Sequence, residues 1–144
     1  METLRSMLGV VFMLLIVAVT PLSADEQESI FYNLTTDEAW KAGMALGQAT
    51  NALKKGYKVI IHLNTRAVFI ASKSFATDIN GASGKSLQDI LKALVDKGAQ
   101  VIICPMCMKK AGLTMDGVIA GVGKAGPDIT FKLMTDDHTT VISY

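Results

Sequence analysis

Apolar positions along this chain switch between short continuous runs and helical spacings. Residues 30–34, 57–63 and 100–103 are brief runs rich in β-branched and aromatic side chains, which read as strands, the second of them buried on both faces. Leu87, Ile90, Leu91, Leu94 and Val95 fall at i, i+3, i+4, i+7 and i+8. That spacing predicts an amphipathic helix capped by Ser86, with Asp89 as capping partner, and ended by Gly98. Thr35-Thr36-Asp37-Glu38 matches a capping box with Thr35 at the N-cap. The helix it opens runs to about Lys55, stops at Gly56, and carries a face of small residues: Ala42, Gly43, Ala45, Ala49 and Ala52. Thr114 predicts the cap of a further helix over 115–122, and residues 128–133 and 138–144 read as two more strands. Residues 67–71 suit a short helix or irregular segment packed near the sheet. Residues 72–85 read as a loop able to cover or expose a site. Strands alternating with helices predict an α/β domain with a mainly parallel sheet of about five strands.

The first 24 residues change the count of what folds. Arg5 sits in a short charged region, residues 7–19 are almost uninterruptedly apolar, and Pro21-Leu22-Ser23-Ala24 supplies small residues for cleavage. This is the layout of a secretory signal peptide, with an apolar run short for a bilayer span. The expectation is therefore a signal peptide over 1–24 and one domain over 25–144, exported to a compartment such as the bacterial periplasm. No cysteine stands at the junction to take a lipid anchor. The net charge of +1 and the lack of long charged runs leave no footprint for nucleic acid and no case for a membrane partner after cleavage.

The chemistry concentrates in Cys104-Pro105-Met106-Cys107, which holds both cysteines of the chain. Proline suits the first helical position, so Cys104 falls at an N-cap, Cys107 one turn in, and Gly112 closes a short helix. A sulfur there sees the positive end of the peptide dipoles, which favours thiolate, and Lys109 and Lys110 add positive potential if they fold back. A disulfide across so small a loop would contribute little stability, so the pair is better explained by chemistry than as a staple. In parallel sheets the binding crevice lies beyond the carboxyl ends of the strands. That edge gathers Asn33, Asn64, Arg66 and Cys104, with Arg66 relevant if it points at the sulfur.

Other motifs carry less. Gly121-Val122-Gly123-Lys124-Ala125-Gly126 spells GxGxxG but comes after no predicted strand, and Ile79 stands where a phosphate loop needs its first glycine. His62 and His138 lack a second ligand at metal spacing, so no zinc site and no cofactor are expected. Met106, Met108, Met115 and Met134 with the cysteines offer soft ligands for Cu(I), or simply core filler.

Strand-end Cys104 followed by Met108-Lys109-Lys110-Ala111-Gly112-Leu113, the opening Phe31-Tyr32-Asn33-Leu34 strand before a small-residue helix, and the closing Val141-Ile142-Ser143-Tyr144 resemble the DsrE/DsrF/TusD-like sulfur-relay proteins. The resemblance covers most of residues 29–144. It implies a three-layer α/β sandwich of the DsrE/YchN-like kind that forms trimers or hexamers. It also implies a sulfurtransferase or sulfur carrier whose strand-end cysteine, here Cys104, takes sulfane sulfur as a persulfide. The source would be a donor protein or a small sulfane-sulfur species, with an acceptor protein downstream. Cys107 departs from the relay pattern and would act as a resolving thiol. Two alternatives stay open: a dithiol–disulfide oxidoreductase, and a non-enzymatic module binding copper or protein.

Overall fold

The structure, a computed structural model, describes residues 27–74, 79–80 and 83–144. The signal peptide expected over 1–24 lies outside them, as do residues 75–78 and 81–82 of the expected loop. Five strands form one all-parallel sheet in the order β6-β5-β2-β1-β7. They are β1 (Ser29–Leu34), β2 (Lys58–Leu63), β5 (Gln100–Ile103), β6 (Val122–Lys124) and β7 (Thr139–Ser143). Two-residue strands β3 (Ile79–Asn80) and β4 (Lys85–Ser86) make a separate antiparallel pair inside the segment expected to be loop.

Alternation along the strands divides the core between the sheet's two faces. Tyr32, Leu34, Val59, Ile61, Leu63, Val101 and Ile103 face one way, against the buried residues of helices α1 (Ala39–Lys54) and α2 (Leu87–Asp96) and of a 3₁₀ helix over Thr65–Ala71. Phe31, Ile60 and Ile102 face the other way and pack with Ala125, Leu133 and Met134. The last two belong to α4 (Pro127–Met134), so the sheet is covered on both sides, more thinly on the second. Small residues on α1 (Ala42, Ala45 and Ala49, all buried) let that helix lie close against the sheet. Among the described residues no helix is long and apolar enough to cross a membrane.

Three elements differ from the sequence reading. The α1 cap is Glu38, whose carboxylate accepts from the N–H groups of Trp40 (2.8 Å) and Lys41 (3.0 Å). Those donors hold the Glu38 carboxyl below its ordinary range. Thr35 is not free to cap because both its N–H and its hydroxyl bond to the Tyr144 carbonyl. The expected helix over 115–122 is a 3₁₀ turn at Met115–Gly117 followed by strand β6 at the sheet edge. The expected strand over 128–133 is helix α4: Gly126 is its N-cap, Pro127 starts it, Asp128 and Lys132 complement its dipole, and the Thr130 N–H bonds the Gly126 carbonyl. By contrast, the Ser86 cap of α2 is as expected, its hydroxyl accepting from the Asp89 N–H at 3.1 Å.

The GxGxxG stretch thus supplies an edge strand and a helix cap. Gly121 is the member under the tightest constraint, with φ at +82° and a Cβ that would come within 2.3 Å of Val95 Cγ1. Gly121→Ala is expected to destabilise the protein by about 1–3 kcal/mol through the left-handed backbone alone, with the Val95 clash adding to it. Denaturant unfolding of Gly121→Ala in the wild-type and Val95→Ala backgrounds checks this, because relative to Val95→Ala alone only the backbone cost should remain.

Candidate functional site

The register of the sheet builds the site. Leu34 pairs with Leu63, Leu63 with Ile103 and Ile103 with Lys124, so four strands end level. The next residue on three of them continues the ladder: Asn64 N–H bonds Leu34 O (3.0 Å), Cys104 N–H bonds Leu63 O (2.9 Å), and Ala125 N–H bonds Ile103 O (2.9 Å). Cys104 is therefore fixed by the last rung of the sheet and at once becomes the N-cap of α3 (Pro105–Lys110). Pro105 holds the first helical position, and the Cys104 sulfur accepts the Cys107 N–H at 3.4 Å. At the far end Gly112 turns with φ at +70°, and the Leu113 N–H returns to Met108 O at 2.9 Å. Met108 is buried and pins α3 to the core, while Met106 is 81% exposed.

Cys107 is part-buried and packs at the edge of the main core. Burial pushes its thiol up from the ordinary range, and the hydrogen bond and charge of Cys104 push the same way. The Thr65 N–H and the positive charge of Lys110 oppose them. The Thr65 N–H donates to the Cys107 sulfur at 3.1 Å. Both cysteines are free thiols.

Thr65 is the residue sequence reasoning missed. It has φ at +46° and is the one non-glycine with positive φ among the described residues. For a β-branched side chain that conformation costs on the order of 1–3 kcal/mol. Nothing in Asn64-Thr65-Arg66 signals a left-handed threonine, and the sulfur its amide meets lies on a helix some forty residues later.

The other predicted residues divide. Asn64 donates its amide to the Asn33 side-chain oxygen (2.5 Å), and Asn33 donates to the Ser143 hydroxyl (3.3 Å). The two asparagines therefore tie β7, β1 and the end of β2 together beside Thr65, with no bond to either cysteine among the described contacts. Arg66 is turned away into a two-point ion pair with Asp37 (2.8 and 2.7 Å) and lies 5.3 Å over the Phe69 ring. Lys109 is exposed and lines a cavity of about 420 Å³ with Pro105, Met108, Gly112, Thr114 and Lys124. Lys110, not Lys109, is the lysine whose charge acts on Cys107. His62 is half-buried beside Phe31, their rings 6.0 Å apart, and burial lowers its pKa, so the imidazole is neutral at neutral pH. No group of three or more His, Cys, Asp or Glu side chains able to hold a metal occurs among the described residues.

The sequence matches the DsrE/DsrF-like family over residues 29–142. The chain belongs to that family. DsrE/DsrF-like proteins generally act in sulfur relay with partner proteins. The fold of this DsrE/DsrF-like chain is shared by two solved structures, each with a TM-score of 0.66 and each matched over 82% of this chain. One is the YchN protein of E. coli, at 16% identity over 99% of that chain. The other is MTH1491 of Methanobacterium thermoautotrophicum, a protein of unknown function, at 10% identity over 100% of that chain. At those identities they show the fold alone. No curated protein matches the sequence.

In this DsrE/DsrF-like protein the balance at Cys107 has a direct consequence. With its pKa raised, Cys107 is a neutral thiol at neutral pH, and its reactivity is set by the small ionised fraction. In Cys104→Ser, where serine retains the cap, alkylation of Cys107 by iodoacetamide should accelerate about tenfold per pH unit through neutrality, without a plateau near neutral pH. Rates measured by intact mass check this.

Proposed function

We propose that this DsrE/DsrF-like chain is an exported sulfur carrier that holds sulfane sulfur as a persulfide on Cys104, with Cys107 as the resolving thiol. The observation that carries the reading is the placement of two free thiols on one turn at the sheet's carboxyl edge, the second donating its N–H to the sulfur of the first.

In the loading step the Cys104 thiolate attacks the outer sulfur of a donor persulfide, R–S–SH. A new S–S bond forms at Cys104 Sγ, the donor S–S bond breaks, and the donor leaves as its thiolate. Transfer repeats the same displacement, an acceptor thiolate taking the outer sulfur and leaving Cys104 as thiolate. Resolution is the competing step. There the Cys107 thiolate attacks Cys104 Sγ, a Cys104–Cys107 disulfide forms, and hydrosulfide departs with the outer sulfur. Cys107 and Cys104 are oxidised, the sulfane sulfur is reduced to sulfide, and an external dithiol is needed to restore the pair. Because burial keeps Cys107 protonated at neutral pH, resolution is held back there and relay to a partner is favoured.

Export belongs to this reading on the strength of the apolar run at residues 7–19. So does association of copies into a trimer or hexamer, which would cover large side chains such as Trp40 (81% exposed) and Phe131 (66% exposed).

The test is intact mass of the pre-reduced protein after brief exposure to a sulfane-sulfur donor. An added sulfur atom should appear in wild type, be absent from Cys104→Ser, and persist longer in Cys107→Ser. Sulfide release by wild type should rise with pH as Cys107 ionises and be lost in Cys107→Ser. A disulfide formed with no captured sulfur in any variant would overturn the carrier reading in favour of dithiol oxidoreduction.

A further inference from the structure

We infer that Thr65 is a positioning residue for the thiol pair: its strained backbone aims one amide at the Cys107 sulfur, where it supports negative charge on that sulfur. The inference rests on the proposed role of Cys107 as resolving thiol.

Three observations converge on it. The first is the outlier itself, a β-branched residue at φ +46° just past the end of β2. Such conformations persist where the surroundings over-determine them, and the inference runs from the outlier to a role. Second, the flanking amide of Asn64 is used by the sheet, bonding Leu34 O. The Thr65 amide is not, and goes instead to Cys107 Sγ at 3.1 Å, the shorter of the two N–H···S contacts in the site. Third, the conformation is held from its other side. The Thr65 hydroxyl donates to the Thr35 carbonyl, the Arg66 N–H bonds the same oxygen at 3.2 Å, and the Ala67 N–H bonds Asn64 O at 3.0 Å. The hydroxyl is thus the side-chain handle that keeps the amide pointed at sulfur.

A hydrogen bond to the ionised form of a group favours that form. The charged and titratable groups that act on Cys107 are Cys104 on its own turn and Lys110 further along α3. Arg66 of the facing 3₁₀ helix is turned away into its pair with Asp37. The Thr65 amide is therefore the main short-range donor set against burial and Cys104. Without it the thiol would be harder to ionise and a persulfide on Cys104 slower to resolve.

The experiment measures alkylation of Cys107 against pH in the full-length Cys104→Ser protein, with Thr65, Thr65→Ser and Thr65→Val, and with no sulfur donor present. Thr65→Ser keeps the hydroxyl and should keep the profile. Thr65→Val keeps the shape but loses the handle, so its backbone relaxes toward negative φ and the amide swings away. Its profile should move to higher pH, with alkylation at about pH 8 slowed roughly tenfold, the scale of one hydrogen bond to an ionised group. Thr65→Ala serves the same purpose if Thr65→Val does not melt cooperatively. A superimposable profile for Thr65→Val or Thr65→Ala, or an equal shift in Thr65→Ser, would overturn the inference. Because the assay contains no sulfane sulfur, its result is independent of whether Cys104 captures sulfur.

Discussion

The parallel register that brings Leu34, Leu63 and Ile103 level is the constraint on which the rest depends. All three are fully buried, and slipping any strand by one residue would turn its apolar set to the opposite face of the sheet. Because the strands end together, their outgoing segments must all leave the sheet at the same edge: the Thr35 turn into α1, Asn64-Thr65 into the 3₁₀ helix, and Cys104 into α3. The meeting of Thr65 with Cys107 is a consequence of that alignment. Neither segment contains anything that would find the other unaided, and the core pairing brings them together.

The site itself is a contest between burial and a few donors. Packing Cys107 against the core edge raises the cost of its anion, and the neighbouring Cys104 raises it again. One backbone amide and one lysine work against them. Main-chain donors suit this task because they are fixed by the fold and need little reorganisation when charge appears on sulfur. Arg66 illustrates the alternative that is not used. Its guanidinium is two-thirds exposed and paired with Asp37, a solvent-screened arrangement that contributes little. It fastens the 3₁₀ helix to the start of α1 and leaves the sulfurs to the amides.

Most of the framework was legible because its determinants are local. The runs at β1, β2 and β5 were plain from their apolar character, α2 from its spacing and its Ser86 cap, and the Cys104-Pro105 junction from proline's place at a helix start. The misreadings share a cause, which is tertiary competition for the same groups. Thr35 looked like a cap but is spent on Tyr144, so Glu38 took the role. Ile129, Phe131 and Leu133 alternate like a strand, yet Pro127 and the Gly126 cap commit the segment to a helix whose Leu133 and Met134 meet the sheet. β6 has three residues and two of them, Gly123 and Lys124, carry no apolar signal, so only its pairing with β5 makes it a strand. At the site, the cysteines were visible and Thr65 was not. A left-handed threonine is defined by its contacts, and residue type gives no hint of it.

That division bears on how function is distributed in this fold. YchN and MTH1491 keep the architecture at 16% and 10% identity, so the sheet and its covering helices survive replacement of most side chains. An architecture that tolerant cannot by itself specify chemistry. What it supplies here is an edge where backbone groups converge and a helix whose N-cap is the residue after β5. In this chain that residue is a cysteine with a second thiol one turn on, and the amide meeting the second thiol belongs to a threonine with positive φ. The chemistry proposed for this chain rests on three residues, Thr65, Cys104 and Cys107, the first of them through its main chain. A search for matching side chains would therefore find the two cysteines and miss the amide that meets the second.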